Sequence, residues 1–300
     1  MFIPDEMNSN DMNDIEQGSY IKKLHFCIVI NKPPPYAVFL DTHFFCAMFK
    51  QQKTDLLARE LNDMCEKKKV RIIASDLILG ELERWRLQKS VIDLIGNCLQ
   101  IVHAFHSTAN QLLQALCSFI AGKRTIQLSY NILTSDPLVI GKEQLGLKNV
   151  ANIIANELNK LRYWPNPVGK FIDVYREVWR DILQPYGEVF CEEACAPKAR
   201  YEEFWFTNMY TDLPAICIPA YLFGMLSTIK QIYINDVVDI VTLSELLPFV
   251  HLYVTDKEMV HLCTRLRNQY PDVFDPYFRS CTIVSGLEPS VSSLKHILNL

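Results

Sequence analysis

Short apolar runs and longer amphipathic segments alternate near the beginning of the chain. The runs 25–30, 36–40 and 70–74 are apolar and bounded by polar or proline-rich segments, as expected of buried strands. Between residues 54 and 69 the apolar positions recur at helical spacing. This alternation of strand and helix predicts βαβ units and a parallel sheet.

A further helix is expected directly after the run 70–74. Ser75 or Asp76 can cap its N-terminus, and its apolar positions continue to Trp85. The capping residue is left open between these two, and Asp76 is assigned to capping and not to a site.

The same alternation returns after the sequence Asp212-Leu213-Pro214. The pattern predicts a helix ending near Lys230, a strand at 232–234, a helix at 236–247 and a strand at 252–255. We therefore expect the later part of the chain to complete the sheet begun by the earlier part.

Helical periodicity dominates residues 90–211, with breaks expected at Asp136-Pro137, at Pro165-Asn166-Pro167 and at Pro185. We interpret this segment as a helical insertion. The predicted organisation is a tail with a leading strand (1–35), the first half of an α/β domain (36–89), the insertion (90–211) and the second half of the domain (212–300).

Composition narrows the class of protein. The chain has 300 residues, 49% of them hydrophobic, and a net charge of −4, so it is not a polycation that coats nucleic acid. Its ten cysteines are scattered and follow no secretory-type leader, which predicts reduced thiols and a cytoplasmic location. The longest apolar stretch, 215–226, is too short for a bilayer. With 10 glycines and no glycine-rich phosphate loop, nucleotide-dependent motors and transferases are disfavoured.

Four acidic residues lie where the predicted strands end. Asp41 follows the strand 36–40, Asp256 follows 252–255, Asp239 lies in about the first turn of the helix after 232–234, and Glu81 lies on the helix after 70–74. Ligands of parallel sheets bind at the carboxyl ends of the strands, so these acids can converge in one crevice. Carboxylates brought together repel one another unless cations are present, and oxygen ligands suit Mg²⁺ or Mn²⁺.

Three blocks of sequence, VFLDT, LILGELE and NDVVDIVTLSELLPFVHLYVTDKEM, resemble a divergent PIN (PilT N-terminus) domain. The resemblance covers about residues 38–85 and 212–284, and the last block is the most specific. It implies a three-layer PIN-like fold, with a central parallel sheet between helices, that carries the large helical insertion. His43, where the family often has Asn or Ser, and Thr255, which directly adjoins Asp256, depart from the family pattern.

The resemblance also implies a site and an activity. Asp41 matches the first acid of the family, Glu81 the Glu of its short "EL" signature, and Asp239 and Asp256 the third and fourth acids. These four would bind one or two Mg²⁺ or Mn²⁺ ions, with Asp236 as a secondary candidate and with Thr42 and Thr255 as candidate substrate-binding residues. The expected function is a metal-dependent endonuclease, with RNA favoured over DNA.

Two other functions stay open. The chain can be a catalytically silent scaffold that binds a protein partner through the insertion, although the presence of all four acids disfavours this. It can also be a nuclease held inactive by a protein regulator or signal, as among toxin or defence proteins. A homo-oligomer is compatible with either, and no membrane partner is expected.

Several other features have plainer explanations. Glu83 competes with Glu81 for the site but is the better partner for a neighbouring arginine, and capping of the helix is the favoured role for Asn235 or Asp236. Cys191 and Cys195 lack a second pair of ligands for zinc. Three basic clusters could contact phosphates but are explained more simply as solvated helix ends: Lys67 to Lys69 with Arg71, Arg84 with Arg86, and Lys198 with Arg200. One aromatic cluster could stack on bases but is explained more simply by core packing: Tyr201, Phe204, Trp205 and Phe206.

Overall fold

A computed structural model describes residues 27–31, 36–50, 59–61, 63–64, 66–67, 70–95, 99–102, 106–129, 147–160, 166–207, 209–286, 292–293 and 295–296. The strands in these parts of the chain are β1 (Cys27–Asn31), β2 (Tyr36–Leu40), β3 (Val70–Ser75), β4 (Leu99–Val102), β5 (Thr125–Ser129), β6 (Leu252–Thr255) and β7 (Thr282–Ser285). The α-helices are α1 (Thr42–Lys50), α2 (Asp76–Arg84), α3 (Gln88–Ile95), α4 (His106–Ile120), α5 (Leu147–Lys160), α6 (Pro167–Glu193), α7 (Ala199–Phe206), α8 (Pro214–Ser227), α9 (Ile234–Leu246), α10 (Lys257–Gln269) and α11 (Pro271–Phe278).

The main sheet has five strands in the order β4-β3-β2-β6-β7, and every neighbouring pair is parallel. The central strand β2 places Phe39 opposite Ile73 on one side and Tyr253 on the other. Its last four residues are at most 2% exposed, because helices cover both faces of the sheet. The expected α/β class with a parallel sheet and flanking helices is confirmed.

A smaller sheet pairs β1 with β5, also in parallel, with Ile28 opposite Ile126. The predicted strand at 25–30 is therefore confirmed for its described residues. Its partner comes from a segment that the pattern assigned to helix.

The helices that follow β5 pack into an apolar layer around α8. Every residue of α8 except Tyr221 is buried, and a helix that is apolar all round is typical of a protein core. It packs against α6 and α9, and α6 contributes Phe171, Tyr175 and Trp179 to this layer. Among the described residues, no helix is long and apolar enough to span a membrane.

The boundary that begins a helical insertion at residue 90 is wrong, because β4 pairs with β3 in register Ile72 to Leu99 and extends the main sheet. The sheet also ends in β7, a partly exposed edge strand that the pattern did not indicate. Four-residue strands are too short to show a clear period in the sequence.

The strand predicted at 232–234 is also absent. Tyr233 instead precedes α9, and the backbone of Ile232 bonds to a side chain. Asn159 accepts a hydrogen bond from the Ile232 N–H at 2.9 Å and donates one to its carbonyl oxygen at 2.7 Å. Because one amide satisfies both backbone groups, Ile232 needs no neighbouring strand.

The break predicted at Pro185 does not occur, since α6 continues through it to Glu193. Pro185 lies on the exposed side of the helix, and the buried positions Leu183, Gly187 and Cys191 keep the same four-residue spacing across it. Packing of this face outweighs the missing backbone hydrogen bond.

The other predicted elements have mixed outcomes. The helices expected before Lys230 and around 236–247 are confirmed as α8 and α9, and Ser75 is the cap of α2. Within the predicted helix 54–69, residues 59–61, 63–64 and 66 are helical and most others lie outside the described residues, as do the tail 1–17 and the break at Asp136-Pro137.

Candidate active site

The order of the strands places a crevice between β2 and β6. From β2 the chain first adds β3 and β4 on one side, and later returns to add β6 and β7 on the other. Adjacent parallel strands whose connections leave in opposite directions open a ligand-binding crevice at their carboxyl ends. Asp41 and Asp256 are the residues that directly follow these two strands.

Asp41 is held from both sides of this crevice. Its carboxylate accepts hydrogen bonds from the Thr42 N–H at 2.6 Å and, more weakly, from the Thr255 hydroxyl at 3.5 Å. Its own N–H donates to the carbonyl oxygen of Val254 at 3.2 Å. These contacts join the end of β2 to the end of β6.

Glu81 reaches the same crevice from α2. Ser75 begins this helix by accepting a hydrogen bond from the Ile78 N–H at 3.3 Å, so the helix starts at the carboxyl end of β3. The hydroxyl of Thr42 donates to Glu81 Oε2 at 2.7 Å. Glu81, and not Glu83, therefore lies beside Asp41.

Asp239 arrives from the opposite direction on α9. This helix runs into β6 through a short joint, so its first turns return to the height at which β6 ends. The seven helical steps from Asp239 to Leu246 cover about 10 Å along the helix axis, and the four extended steps from Leu252 to Asp256 cover about 13 Å in the opposite direction. The two acids consequently lie at the same end of the sheet.

Asp239 lies between two lobes of the cleft. The first lobe also contains Asp41, Glu81, Thr255 and an apolar floor on which Phe39 and Tyr253 stack with ring centroids 4.4 Å apart. The second lobe is lined by Asp236, Asp239, Asp256 and Glu258 together with apolar residues. The four predicted acids thus line two adjoining lobes that share Asp239.

Asp256 and Asp236 each have a capping role in the second lobe. Asp256 accepts a hydrogen bond from the Met259 N–H at 2.8 Å and begins α10. Asp236 accepts from the Tyr233 N–H at 2.8 Å, and its other oxygen pairs with Lys230 at 2.9 Å. Because both its oxygens are engaged, Asp236 suits the cap that the sequence favoured better than a ligand role.

Burial and neighbouring negative charges raise the pKa values of Asp239 and Asp41. Although Asp239 is exposed at the mouth of the cleft, protein atoms crowd its carboxylate. This burial, followed by the charges of Asp41, Asp256, Glu81 and Asp236, raises its pKa to about 8.

Burial also raises the pKa of Asp41 to about 6. The neighbouring Asp256 and Glu81 carboxylates add to this rise, while the Thr42 N–H and His43 oppose it. The charged groups that shift these two pKa values most are the neighbouring carboxylates and, for Asp41, His43. Beside the second lobe, Lys230 pairs with Asp236 and Glu258.

The donor chemistry of the cleft fits a hard divalent cation, which oxygen ligands bind well and which would offset the repulsion among the carboxylates. The described side chains do not, however, form a ready-made group of three or more His, Cys, Asp or Glu that could hold a metal ion. Binding a cation would therefore require the acids to draw closer together.

Thr42 and Thr255 contact the acidic residues of the site, a role that the sequence did not indicate. Both side chains are buried, at 8% and 6% exposure, and both hydroxyls face carboxylates. Their contacts favour a role in orienting Asp41 and Glu81 over direct substrate binding. A hydrogen bond between residues 39 positions apart leaves no signal in local periodicity.

The aromatic cluster on α7 packs in the core, as the simpler interpretation predicted for Tyr201, Phe204 and Trp205, whereas Phe206 is exposed. Cys191 is buried and Cys195 exposed, and the described residues hold no zinc-type group. Lys67, Lys198 and Arg200 form ion pairs with nearby acids.

No protein-family model, no curated protein and no solved structure matches this chain.

Proposed function

We propose that the chain is a metal-dependent endonuclease in which Asp41, Glu81, Asp239 and Asp256 bind Mg²⁺ or Mn²⁺. The observation that carries this proposal is that four carboxylates from separate elements line the crevice between β2 and β6, where their charges add to burial in raising the pKa values of Asp41 and Asp239. The resemblance to PIN domains supplies the substrate class and favours RNA over DNA.

The bound cation would supply activation of a water molecule for attack on the phosphodiester and stabilisation of the negative charge that develops. The chain's own residues orient the ligands. Thr42 holds Asp41 through its N–H and Glu81 through its hydroxyl, while Thr255 contacts the second oxygen of Asp41. Phe39 and Tyr253 close the floor of the cleft against water.

Asp239 is the acid that responds most to a cation. With a pKa of about 8, its carboxyl group holds a proton at neutral pH when no cation is bound. Binding of a divalent cation would displace that proton, because the positive charge favours the carboxylate. Metal binding is therefore expected to release protons and to strengthen with rising pH.

The test is cleavage of labelled RNA and DNA by the purified protein in Mn²⁺, in Mg²⁺ and in EDTA. We expect cleavage only with a divalent cation. Asp41→Asn should lower the cleavage activity at least about 100-fold, because loss of a metal ligand has a larger effect than loss of a residue that only orients a ligand. Asp181→Asn is the matched control, since Asp181 is an aspartate on α6 whose side chain is 77% exposed. Cleavage in EDTA, or full activity of Asp41→Asn, contradicts the proposal.

One observation favours the alternative of a catalytically silent scaffold. The described acids do not stand in a group that could hold a metal ion without movement. Calorimetric titration with Mn²⁺ separates the two functions. Binding that Asp41→Asn weakens and Asp181→Asn does not supports the nuclease, whereas absence of binding supports the scaffold.

A further inference from the structure

An exposed corner of sequence Arg84-Trp85-Arg86 forms the C-terminal end of α2, the helix that carries Glu81. Trp85 is 61% exposed, which is the highest value among the large hydrophobic side chains in the described part of the chain. Both arginines are exposed as well. An aromatic ring between two cations is thus presented to solvent at one end of this helix.

The corner lies beside the acidic cleft. Trp85 follows Glu81 by four residues, so both lie on one helix face with Cβ atoms about 5–6 Å apart. The helical turn between them is intact, since the Trp85 N–H donates to the carbonyl oxygen of Glu81 at 3.2 Å. Helical side chains lean toward the N-terminus, which directs the indole toward Glu81 and the mouth of the cleft.

The backbone of the corner is fixed in an uncommon conformation. Arg86 has φ of 57°, in the left-handed region that usually favours glycine or asparagine at the end of a helix. Two hydrogen bonds hold it there, from the Arg86 N–H to Glu83 O at 2.9 Å and from the Leu87 N–H to Leu82 O at 2.8 Å. These bonds fix the backbone from which the Arg86 side chain extends into solvent.

The two guanidinium groups are available to a ligand. Neither guanidinium group, of Arg84 or of Arg86, makes a hydrogen bond or ion pair with any described residue. By contrast, several other arginines each pair with a carboxylate, namely Arg176, Arg180, Arg200, Arg267 and Arg279. The corner therefore carries two positive charges that no described carboxylate neutralises.

We propose that Arg84, Trp85 and Arg86 bind single-stranded nucleic acid and lead it into the cleft, an inference that rests on the proposed nuclease function. An exposed indole stacks on an unpaired base of any sequence, and guanidinium groups bind phosphates in a bidentate manner. A duplex keeps its bases inside and offers no face for stacking. Because the cleft is acidic and the net charge is −4, a local cationic site is needed to hold a polyanion there.

The test measures fluorescence anisotropy of a short labelled oligonucleotide, single-stranded or paired, with the full chain in EDTA. We expect Trp85→Ala to weaken single-strand binding roughly 5- to 150-fold, as for loss of one stacked base, and Trp85→Phe to retain most of it. Duplex binding should not change with Trp85. Replacing both arginines with glutamine should lower the slope of log affinity against log salt by about 1.4.

Phe206→Ala and Arg124→Gln are the matched controls, since Phe206 is 57% exposed on α7 and Arg124 is exposed in the turn after α4. Both should bind like the parent. The proposal is overturned if Trp85→Ala binds single strands as the parent does, if paired and unpaired strands lose affinity equally, or if no oligonucleotide binds.

Cleavage kinetics separate this proposal from the proposed activity. We expect Trp85→Ala to raise KM and leave kcat close to that of the parent, whereas Asp41→Asn lowers kcat. If oligonucleotide binding depends on Trp85 but no metal-dependent cleavage occurs, the proposed nuclease function is refuted and the proposed nucleic-acid binding by the corner is supported. If cleavage depends on metal but KM is unchanged in Trp85→Ala, the proposed binding by the corner is refuted and the proposed nuclease function is supported.

Discussion

Replacing Asp41 with asparagine should stabilise the metal-free protein at neutral and alkaline pH. In the folded chain, burial and the neighbouring carboxylates raise the pKa of Asp41 from 3.8 to about 6. The folded state therefore binds a proton more tightly than the unfolded state. Stability that is present below about pH 4 is lost as the pH rises through about 6.

The size of the effect follows from the shift in pKa. A change of about two units corresponds to about 3 kcal/mol, at 1.36 kcal/mol per unit. Asparagine keeps an oxygen that can accept from the Thr42 N–H, and the contact that it loses, with Thr255 at 3.5 Å, is long. We therefore expect a gain of about 2–3 kcal/mol above pH 6, or roughly 3–5 °C in Tm for a chain of 300 residues.

The assay is thermal unfolding in EDTA at pH values from about 4 to 8, with Asp181→Asn as the control. The advantage of Asp41→Asn should grow between about pH 4 and pH 6 and more slowly above pH 6, because the variant lacks the Asp41 charge that helps to raise the pKa of Asp239. Above pH 6 the parent should continue to lose stability as Asp239, with a pKa of about 8, ionises. If Asp41→Asn is no more stable than the parent at about pH 7.5, burial and repulsion do not act on Asp41 as inferred.

Added Mn²⁺ should reverse the order of the two proteins. A cation that binds only the folded state stabilises it by about 4.1 kcal/mol at a concentration one thousand times Kd, which exceeds the advantage of about 2–3 kcal/mol expected for Asp41→Asn. The parent should gain this stability, and Asp41→Asn should gain much less. An equal gain in both proteins would show that Asp41 is not a ligand.

Three further changes test the supports of the site. Thr42→Val removes the hydroxyl that donates to Glu81 and should weaken Mn²⁺ binding about 10-fold or more by calorimetry, while Thr42→Ser should restore it. Ser75→Ala removes the cap of α2 and should lower the free energy of unfolding by about 1 kcal/mol in urea titration. Gly187→Ala places a Cβ 2.0 Å from the Tyr201 ring and should destabilise the contact of α6 with α7 by about 1–3 kcal/mol, without changing the affinity for Mn²⁺.

Local sequence was sufficient to predict the acids at strand ends. Asp41 and Asp256 follow short, continuous apolar runs, and a parallel sheet places the ends of such strands along one edge. Glu81 could be placed because Ser75 marks the beginning of its helix. These predictions depend on patterns that are complete within about ten residues.

The remaining features depend on partners far away in the chain. The predicted strand at 232–234 failed because Asn159, 73 residues earlier, satisfies the backbone of Ile232. Strand β4 escaped notice because four residues between helical segments carry no clear period. The choice of Glu81 over Glu83 required the contact with Thr42, which only the folded chain reveals.

The helices between the two halves of the sheet take part in positioning the site. The buried Glu245 lies on α9, six residues beyond Asp239, and its carboxylate accepts hydrogen bonds from the N–H and hydroxyl of Thr108 at 2.8 and 2.6 Å. Thr108 lies in the first turn of α4, where unpaired backbone N–H groups favour a negative charge.

The same helix also binds α8. Gln111 of α4 is fully buried and accepts a hydrogen bond from the Ala215 N–H, in the first turn of α8, at 3.3 Å. Since α8 packs along α9, these polar contacts fix the helix that carries Asp239 from two directions. A buried carboxylate within an apolar layer is stable only when its partners are correctly placed, so it selects one arrangement of the helices. The segment that sequence periodicity set apart as an insertion is therefore part of the support that holds the third acid at the carboxyl edge of the sheet.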